Sequence, residues 1–219
     1  MKVCLLLMSI LAVFCSNAYA GDPCKCDVPM YIIDPDPAGS NLRDAPKGKV
    51  VFVLPQPPDT EPDCHSVMIC DARDGWFKIG KIETASVNSP DPVKITAKSE
   101  FVVAGRDGNQ KTINVRAGQE MSFSSLEMQS PLWIHGSLLE TSYRMASDKD
   151  PRFYGKPSKD AKVFAVAYDP DDNVMIDKVK FIGCQDGWLQ VLFTEGKLKG
   201  KKVWVAPENQ CPNSLTTCP

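Results

Sequence analysis

Short apolar stretches separated by polar turns dominate the hydrophobic pattern of this chain. Runs such as Val50–Leu54, Lys178–Ile182 and Trp188–Phe193 are rich in β-branched and aromatic residues and end near glycine, proline or aspartate. Such runs are typical of β-strands, and no segment shows a sustained helical period of 3.6 residues. A short helical turn near residues 137–144 is the only candidate helix. The pattern therefore predicts an all-β protein.

The predicted strands follow one another twice in the same order. In each copy an Asp-Gly-Trp turn opens a strand, and a later strand carries a tryptophan between aliphatic residues. The chain's four tryptophans fill these positions, Trp76 and Trp188 after the turns and Trp133 and Trp204 in the later strands. A proline lies 30 or 31 residues before each turn tryptophan, namely Pro46 and Pro157. This internal repeat predicts two copies of one small β module.

The repeated motifs resemble those of bacterial SH3-like (SH3b) domains, small β-barrels appended to many cell-envelope proteins. The segment Ser40–Pro46, SNLRDAP, is similar to the family's opening N-[VL]-R-x-x-P, and the Asp-Gly-Trp turn and closing strand follow in order. In the second copy, Arg152–Pro157 keeps the proline alone. The resemblance implies two tandem SH3-like β-barrels that bind cell-wall (peptidoglycan) peptides or envelope proteins through loops and an aromatic groove.

The two copies differ by an insert. Trp133 follows Trp76 by 57 residues, whereas Trp204 follows Trp188 by 16, so the first copy carries about 41 extra residues at about 84–129. We expect a β-meander there, with strands at 93–97, 101–104, 112–115 and 121–123 and turns at 107–109 and 117–118. The predicted domains are a signal peptide at 1–20, the first barrel with its insert at 21–141, and the second barrel with a C-terminal cysteine loop at 142–219.

The N-terminus has the organisation of a secretory signal peptide. Lys2 precedes the apolar run Val3–Cys15, and the small-x-small sequence Ala18–Ala20 follows. This arrangement predicts cleavage after Ala20 and a secreted or periplasmic protein. The alternative is a lipoprotein that begins at Cys15, which Phe14 disfavours because that processing needs a small residue at this position. No other stretch is long and apolar enough to predict a membrane span.

Cysteine usage fits an oxidising compartment. Of nine cysteines, two lie in the signal peptide, which leaves seven disulfide candidates: Cys24, Cys26, Cys64, Cys70, Cys184, Cys211 and Cys218. An odd number leaves at least one free or bonded to another chain. Cys24 and Cys26 are too close to bond each other easily, and Cys64 and Cys70 are too far apart on an extended strand. We therefore expect the N-terminal pair to bond Cys64 and Cys70. For the C-terminal cysteines, Cys211–Cys218 and Cys184–Cys211 are both open.

Charge and motif content argue against several function classes. The formal net charge is −2, and the densest basic run, Lys197–Lys202, falls in a predicted hairpin turn, so we expect no nucleic-acid binding. The aspartate-rich segments at 34–39 and 169–173 lack the full glycine and glutamate pattern of calcium loops and predict Asp-Pro turns. Cys24-Lys25-Cys26 lacks the spacing of a zinc site. We expect no metal and no cofactor.

One enzymatic alternative comes from the family's neighbours. Asp63-Cys64-His65-Ser66 weakly resembles the Asp-Cys-Ser-Gly motif of cysteine peptidases that cut cell-wall peptides, which would make Cys64 a nucleophile. That mechanism needs a later histidine as base, and His135 is the sole candidate. The chain after Cys64 predicts a strand, whereas the peptidase nucleophile opens a helix. We therefore expect a binding protein rather than an enzyme.

The aromatic residues are the candidate ligand contacts. Trp76, Trp188, Tyr154 and Tyr168 could line a groove, although small barrels need large side chains in their cores, and we expect at least three of the four tryptophans to be mainly buried. A second binding hypothesis is a secreted inhibitor or assembly factor that uses the insert against another protein.

Overall fold

The chain is built almost entirely of β-strands, which confirms the all-β prediction. The computed structural model describes residues 24–56, 65–83, 93–95, 99–104, 110–115, 117–118, 120–121, 125–143, 152–165 and 179–211. Within these ranges the helical segments are two short 3-10 turns, Gly136–Leu138 and Pro207–Asn209, and no helix is long and apolar enough to cross a membrane. The predicted signal peptide, Cys64, Tyr168 and the aspartates at 169–173 lie outside the described residues.

The strands are numbered in chain order. They are β1 Val28–Ile32, β2 Ser40–Arg43, β3 Val50–Leu54, β4 Ser66–Arg73, β5 Trp76–Glu83, β6 Val93–Ile95, β7 Ser99–Ala104, β8 Gln110–Val115, β9 Glu120–Met121, β10 Ser125–His135, β11 Leu139–Glu140, β12 Ser142–Tyr143, β13 Arg152–Tyr154, β14 Val163–Ala165, β15 Val179–Gln185, β16 Trp188–Phe193, β17 Lys202–Val205 and β18 Gln210–Cys211.

The two copies share one strand order. In the first sheet the order β4-β5-β10-β2-β3 occurs, and in the second sheet it is β15-β16-β17-β13-β14. Each copy ends with its 3-10 turn and a short strand: β11 pairs with β1 in the first sheet, and β18 pairs with β12 in a separate two-stranded sheet. The internal repeat inferred from the sequence is therefore present in the strand pairing.

The Asp-Gly-Trp motifs form the same hairpin turn twice. Asp74 and Gly75 have φ angles of 52° and 78°, and Asp186 and Gly187 have 49° and 79°. Two consecutive residues with positive φ are the mark of a type I′ turn, whose twist matches that of the flanking strands and which Asp-Gly favours. Each turn fixes the register of its hairpin and places a tryptophan first on the returning strand.

The closing strands have equivalent registers as well. Trp133 pairs with Lys78, two residues after Trp76, and Trp204 pairs with Gln190, two residues after Trp188. On their other sides, Trp133 pairs with Arg43 and Trp204 pairs with Tyr154. Arg43 and Tyr154 each lie three residues before the proline of their copy, Pro46 and Pro157. The sequence repeat and the structural repeat therefore coincide residue by residue.

The segment Cys24–Cys26 is bonded to both copies. Cys24 bonds Cys70 on β4 of the first copy, as expected for an N-terminal cysteine. The expectation that the N-terminal pair bonds both Cys64 and Cys70 is wrong for Cys26, which bonds Cys184 because β15 of the second copy packs on β4. The alternative pair Cys184–Cys211 is therefore wrong, because Cys184 already has a partner 158 residues away. Cys218 lies outside the described residues. The two bonds indicate an oxidising, extracytoplasmic environment.

Hydrogen bonds and packing reinforce this connection. The backbone N–H groups of Asp186 and Gly187 donate to the carbonyl oxygens of Lys25 and Cys26 at 2.7 and 2.6 Å. One buried apolar cluster continues from the first sheet, with Phe77 fully buried, through Cys26 to Phe181 and Leu189 of the second. Strand β15 also packs on β4. The two copies therefore share a single core.

The insert is hydrogen-bonded to the first sheet at two places. Strand β6 pairs with β3, and β7 pairs with the first half of β10. The four predicted strands are present as β6 to β9, and the predicted turn at 117–118 is present, whereas 107–109 lies outside the described residues. Residues 125–129, assigned to the insert from the sequence, belong to β10, where Ser125 pairs with Glu83. The insert therefore spans the 41 residues 84–124.

The helical turn predicted near 137–144 is confined to Gly136–Leu138. Residues 139–140 and 142–143 form strands β11 and β12 because they find extended partners in β1 and β18. Tertiary pairing thus overrides the weak local preference.

Deletion of residues 84–124, with a short glycine-containing turn joining Glu83 to Ser125, should leave the first copy folded. The two joined residues are register partners, and the second copy closes the equivalent strands β16 and β17 through the short loop 194–201. We expect a retained β-sheet circular dichroism spectrum and a cooperative thermal melt. A deletion protein without cooperative melting would show instead that the insert is part of the core.

Candidate functional site

Alternation along the strands gives each sheet an inner and an outer face. In β5 and β10, Phe77, Ile79, Leu132 and Ile134 are essentially fully buried in the shared core. Because successive side chains point to opposite faces, Trp76, Trp133 and His135 lie on the other side of the sheet, together with the register partner Arg43. We call Arg43, Trp76, Trp133 and His135 the first outer face.

Trp76 is half-buried between two polar neighbours. The guanidinium carbon of Arg43 lies 5.8 Å from the centroid of the Trp76 ring, and the His135 ring makes an edge contact with centroids 5.2 Å apart. Arg43 is held in place because its Nη1 donates to the carbonyl oxygen of Gly48 at 2.7 Å. A cation over an indole contributes about 0.5–1 kcal/mol at an exposed site. The indole is therefore held between two polar side chains.

The hydrogen bonds of His135 determine which ring nitrogen carries its proton. Nδ1 lies 2.7 Å from Ser137 Oγ and accepts from the Ser137 backbone N–H at 3.3 Å. A nitrogen that accepts carries no proton, so in the neutral ring the proton is on Nε2. The ring is exposed, and the turn beside it is fixed by the Gly136 N–H, which donates to the Gly75 carbonyl oxygen at 2.8 Å. Nε2 is thus an available donor.

The equivalent positions of the second copy are apolar. Tyr154, Trp188, Trp204 and Ala206 form the second outer face, and Ala161 packs against them in a cluster separate from the shared core. Tyr154 and Trp188 meet edge to face with centroids 5.2 Å apart, and each is 8% exposed. Such an aromatic pair contributes about 0.5–1.5 kcal/mol beyond its buried area. The second outer face therefore behaves as a small core of its own.

An ion pair joins the two segments that flank the second outer face. Lys159, in the loop after β13, contacts Glu208 of the second 3-10 turn at 2.9 Å. The hydrogen bond that Lys159 donates to the Glu208 carboxylate, followed by the charge of Glu208, raises the pKa of Lys159 above 10.5. Burial acts to raise the pKa of Glu208, but the bond and charge of Lys159 and a backbone hydrogen bond outweigh it, so this pKa lies below 4.5.

The side chains predicted from the sequence to contact a ligand therefore differ in exposure between the two copies. Trp76 is half-buried on the first outer face, whereas Trp188 and Tyr154 are buried on the second. Of the tryptophans, Trp133 and Trp188 are buried and Trp76 and Trp204 are half-buried, so none is mainly exposed, in agreement with the expectation that at least three are mainly buried. Tyr168 lies outside the described residues.

Arg43 and His135 were missed as site residues. Arg43 was noted in the sequence as part of the opening motif, and His135 as a possible base. The signal that could have revealed them is the alignment of the two copies. It makes Arg43 equivalent to Tyr154 and His135 equivalent to Ala206.

The surroundings of Cys64 bear on the hydrolase alternative. His65 is buried, and its Nε2 lies 2.7 Å from the Pro55 carbonyl oxygen. Strand β4 begins at Ser66, so the described chain after Cys64 is extended, as predicted, rather than helical. This geometry lacks the helix that the peptidase motif would open.

Two other segments considered as ion-binding candidates in the sequence, near Asp34 and near Lys197, form turns. Asp34 and Asp36 side chains accept the backbone N–H groups of Asp36 and Ala38 at 3.0 and 2.9 Å, which confirms the predicted Asp-Pro turn. Lys197 and its neighbours occupy the exposed turn between β16 and β17, also as predicted. Among the described residues, no group of three or more His, Cys, Asp or Glu side chains is arranged to hold a metal.

Comparison with known proteins adds no assignment. No family model, no curated protein and no solved structure matches this chain.

The Lys159–Glu208 pair should give the second copy a pH-dependent stability. Because the pKa of Glu208 is lowered on folding, its contribution is present above pH 4.5 and is lost as the pH falls through the folded pKa. Glu208→Gln should therefore melt below the wild-type temperature at pH 7, and the difference should shrink as the pH falls below 4.5 through the folded pKa. The control is Glu195→Gln, at an exposed turn position. Equal melting of Glu208→Gln and wild type at pH 7 would contradict the expectation.

Proposed function

We propose that this chain is a secreted or periplasmic, non-enzymatic binding protein made of two SH3-like β-barrels. Its ligand is a peptide, from the cell wall or from an envelope protein, and the first outer face binds it. The oxidising environment that the disulfides indicate supports the location. The repeated strand order and the motif resemblance support the barrel type.

The observation that carries the proposal is the contrast between the two outer faces. In one sheet the turn tryptophan is buried in a cluster with a tyrosine and an alanine. In the other sheet the equivalent tryptophan has an arginine and an exposed histidine beside it. A partly exposed aromatic ring with oriented donors is the composition of a recognition site, because the ring supplies contact area and the donors supply specificity.

In this proposal the second copy has a structural role. The backbone N–H groups of its turn Asp186-Gly187 donate to the N-terminal segment. Its outer face is filled by its own side chains. It supports the first copy through the shared core, so that the recognition site rests on a rigid platform. A preformed site binds with less ordering cost than a flexible one.

Trp76→Ala should remove binding and leave the fold intact. The ring is half-buried and lies outside the core cluster, so its loss should weaken the ligand complex by about tenfold or more, as for aromatic interface anchors. The measurement is co-sedimentation with purified peptidoglycan, beside a pull-down from envelope extract. The control is Trp204→Ala, a half-buried tryptophan of the second outer face.

The two variants separate the alternatives. Loss of recovery in Trp76→Ala with retention in Trp204→Ala supports the first outer face. Retention in both variants, followed by loss in the 84–124 deletion, would transfer recognition to the insert and favour an inhibitor or assembly factor.

A further inference from the structure

We infer that the first outer face selects peptides by a carboxylate group, which Arg43 and His135 bind while an adjacent apolar part of the ligand covers Trp76. This inference rests on the proposed function and adds the chemistry of the ligand. It follows from which hydrogen-bond donors of the face have a partner among the described residues and which do not.

Arg43 has donors to spare. A guanidinium carries five N–H groups in a fixed fork that matches a carboxylate, and the Gly48 carbonyl oxygen takes one of them at 2.7 Å. Within the described part of the chain, no carboxylate lies within ion-pair distance of Arg43. Its neighbour Asp44 is engaged elsewhere, since Oδ1 accepts the Lys49 N–H at 2.9 Å. An oriented, half-buried guanidinium without a carboxylate is suited to an external one.

His135 adds a second donor beside the same ring. Because Nδ1 accepts the Ser137 backbone N–H, the neutral ring carries its proton on Nε2, and no hydrogen bond joins this Nε2–H to another of the described residues. The two donor groups flank the Trp76 indole, with Arg43 over the ring and His135 at its edge. The exposed charges on the adjoining hairpin, Arg73 and Asp74, have opposite sign and roughly cancel. Lys78, the register partner of Trp133, lies on the same side of β5 as Trp76, so the local preference for an anion comes from Arg43 and Lys78.

The composition of the face favours a carboxylate over a phosphate. Phosphate groups are recognised by clusters of arginines, whereas one guanidinium, that of Arg43, lies over the Trp76 ring of this face. The indole beside it requires an apolar or planar neighbour within the ligand, which a peptide provides. In the second copy both donors are replaced, by Tyr154 and Ala206, so that copy has no equivalent selectivity.

The test uses a synthetic cell-wall stem peptide with free carboxylates and the same peptide with every carboxylate converted to an amide. Affinity is measured by isothermal titration with the chain 21–219. We expect the free-acid peptide to bind at least about tenfold more tightly than the amide, as for a charge-assisted hydrogen bond. Arg43→Gln should abolish this preference, and Arg43→Lys should restore part of it. Lys159→Gln, in the second copy, should leave it unchanged.

The outcomes separate the inference from the function on which it rests. Equal binding of acid and amide would overturn the carboxylate inference and leave peptide binding standing. Absence of binding by both peptides would overturn the two together. Competition by inorganic phosphate more strongly than by acetate would also overturn it, in favour of a phosphate ligand. A cooperative melt of each variant confirms that a loss of binding is not a loss of fold.

Discussion

The connection between Cys24–Cys26 and the two sheets is the constraint on which the rest of the structure depends. Alternate residues of one short segment bond Cys70 in the first copy and Cys184 in the second, and the carbonyl groups between them accept the N–H groups of the second hairpin turn. Each such bond typically contributes about 2–4 kcal/mol. Small β modules have thin cores, and sharing one core through Cys26 lets each copy bury more apolar surface than it could alone.

The two equivalent copies nevertheless have different outer faces. The N-terminal segment occupies the turn of the second copy, and Tyr154, Trp188 and Ala206 complete a closed apolar cluster there. The first copy has the same backbone and register, but Arg43 and His135 replace two of the apolar groups. The fold therefore repeats while the chemistry does not, and the proposed recognition site lies where the two copies differ.

Much of the fold could be predicted because short sequence motifs mark the equivalent strands of the two copies. The Asp-Gly turns fix hairpin register, and the tryptophan spacing identifies the closing strands. The pair Cys26–Cys184 could not be predicted, since it depends on how β15 packs on β4, which no local pattern records. The start of β10 differs from the sequence-based boundary because Ser125–Glu127 pair with Lys81–Glu83 at the end of β5, a long-range register. The site was predicted in part: Trp76 was named, but the donors beside it follow from cross-strand pairing.

The central claim, that the first outer face binds and the second is closed, is tested most directly by nuclear magnetic resonance of the tryptophan side chains. The four indole N–H signals of 15N-labelled chain 21–219 can be assigned with single Trp→Phe variants and followed during titration with the free-acid stem peptide. The account predicts a shift of the Trp76 signal with those of Trp188 and Trp204 unchanged. A shift of Trp188 or Trp204 with Trp76 unmoved would contradict it.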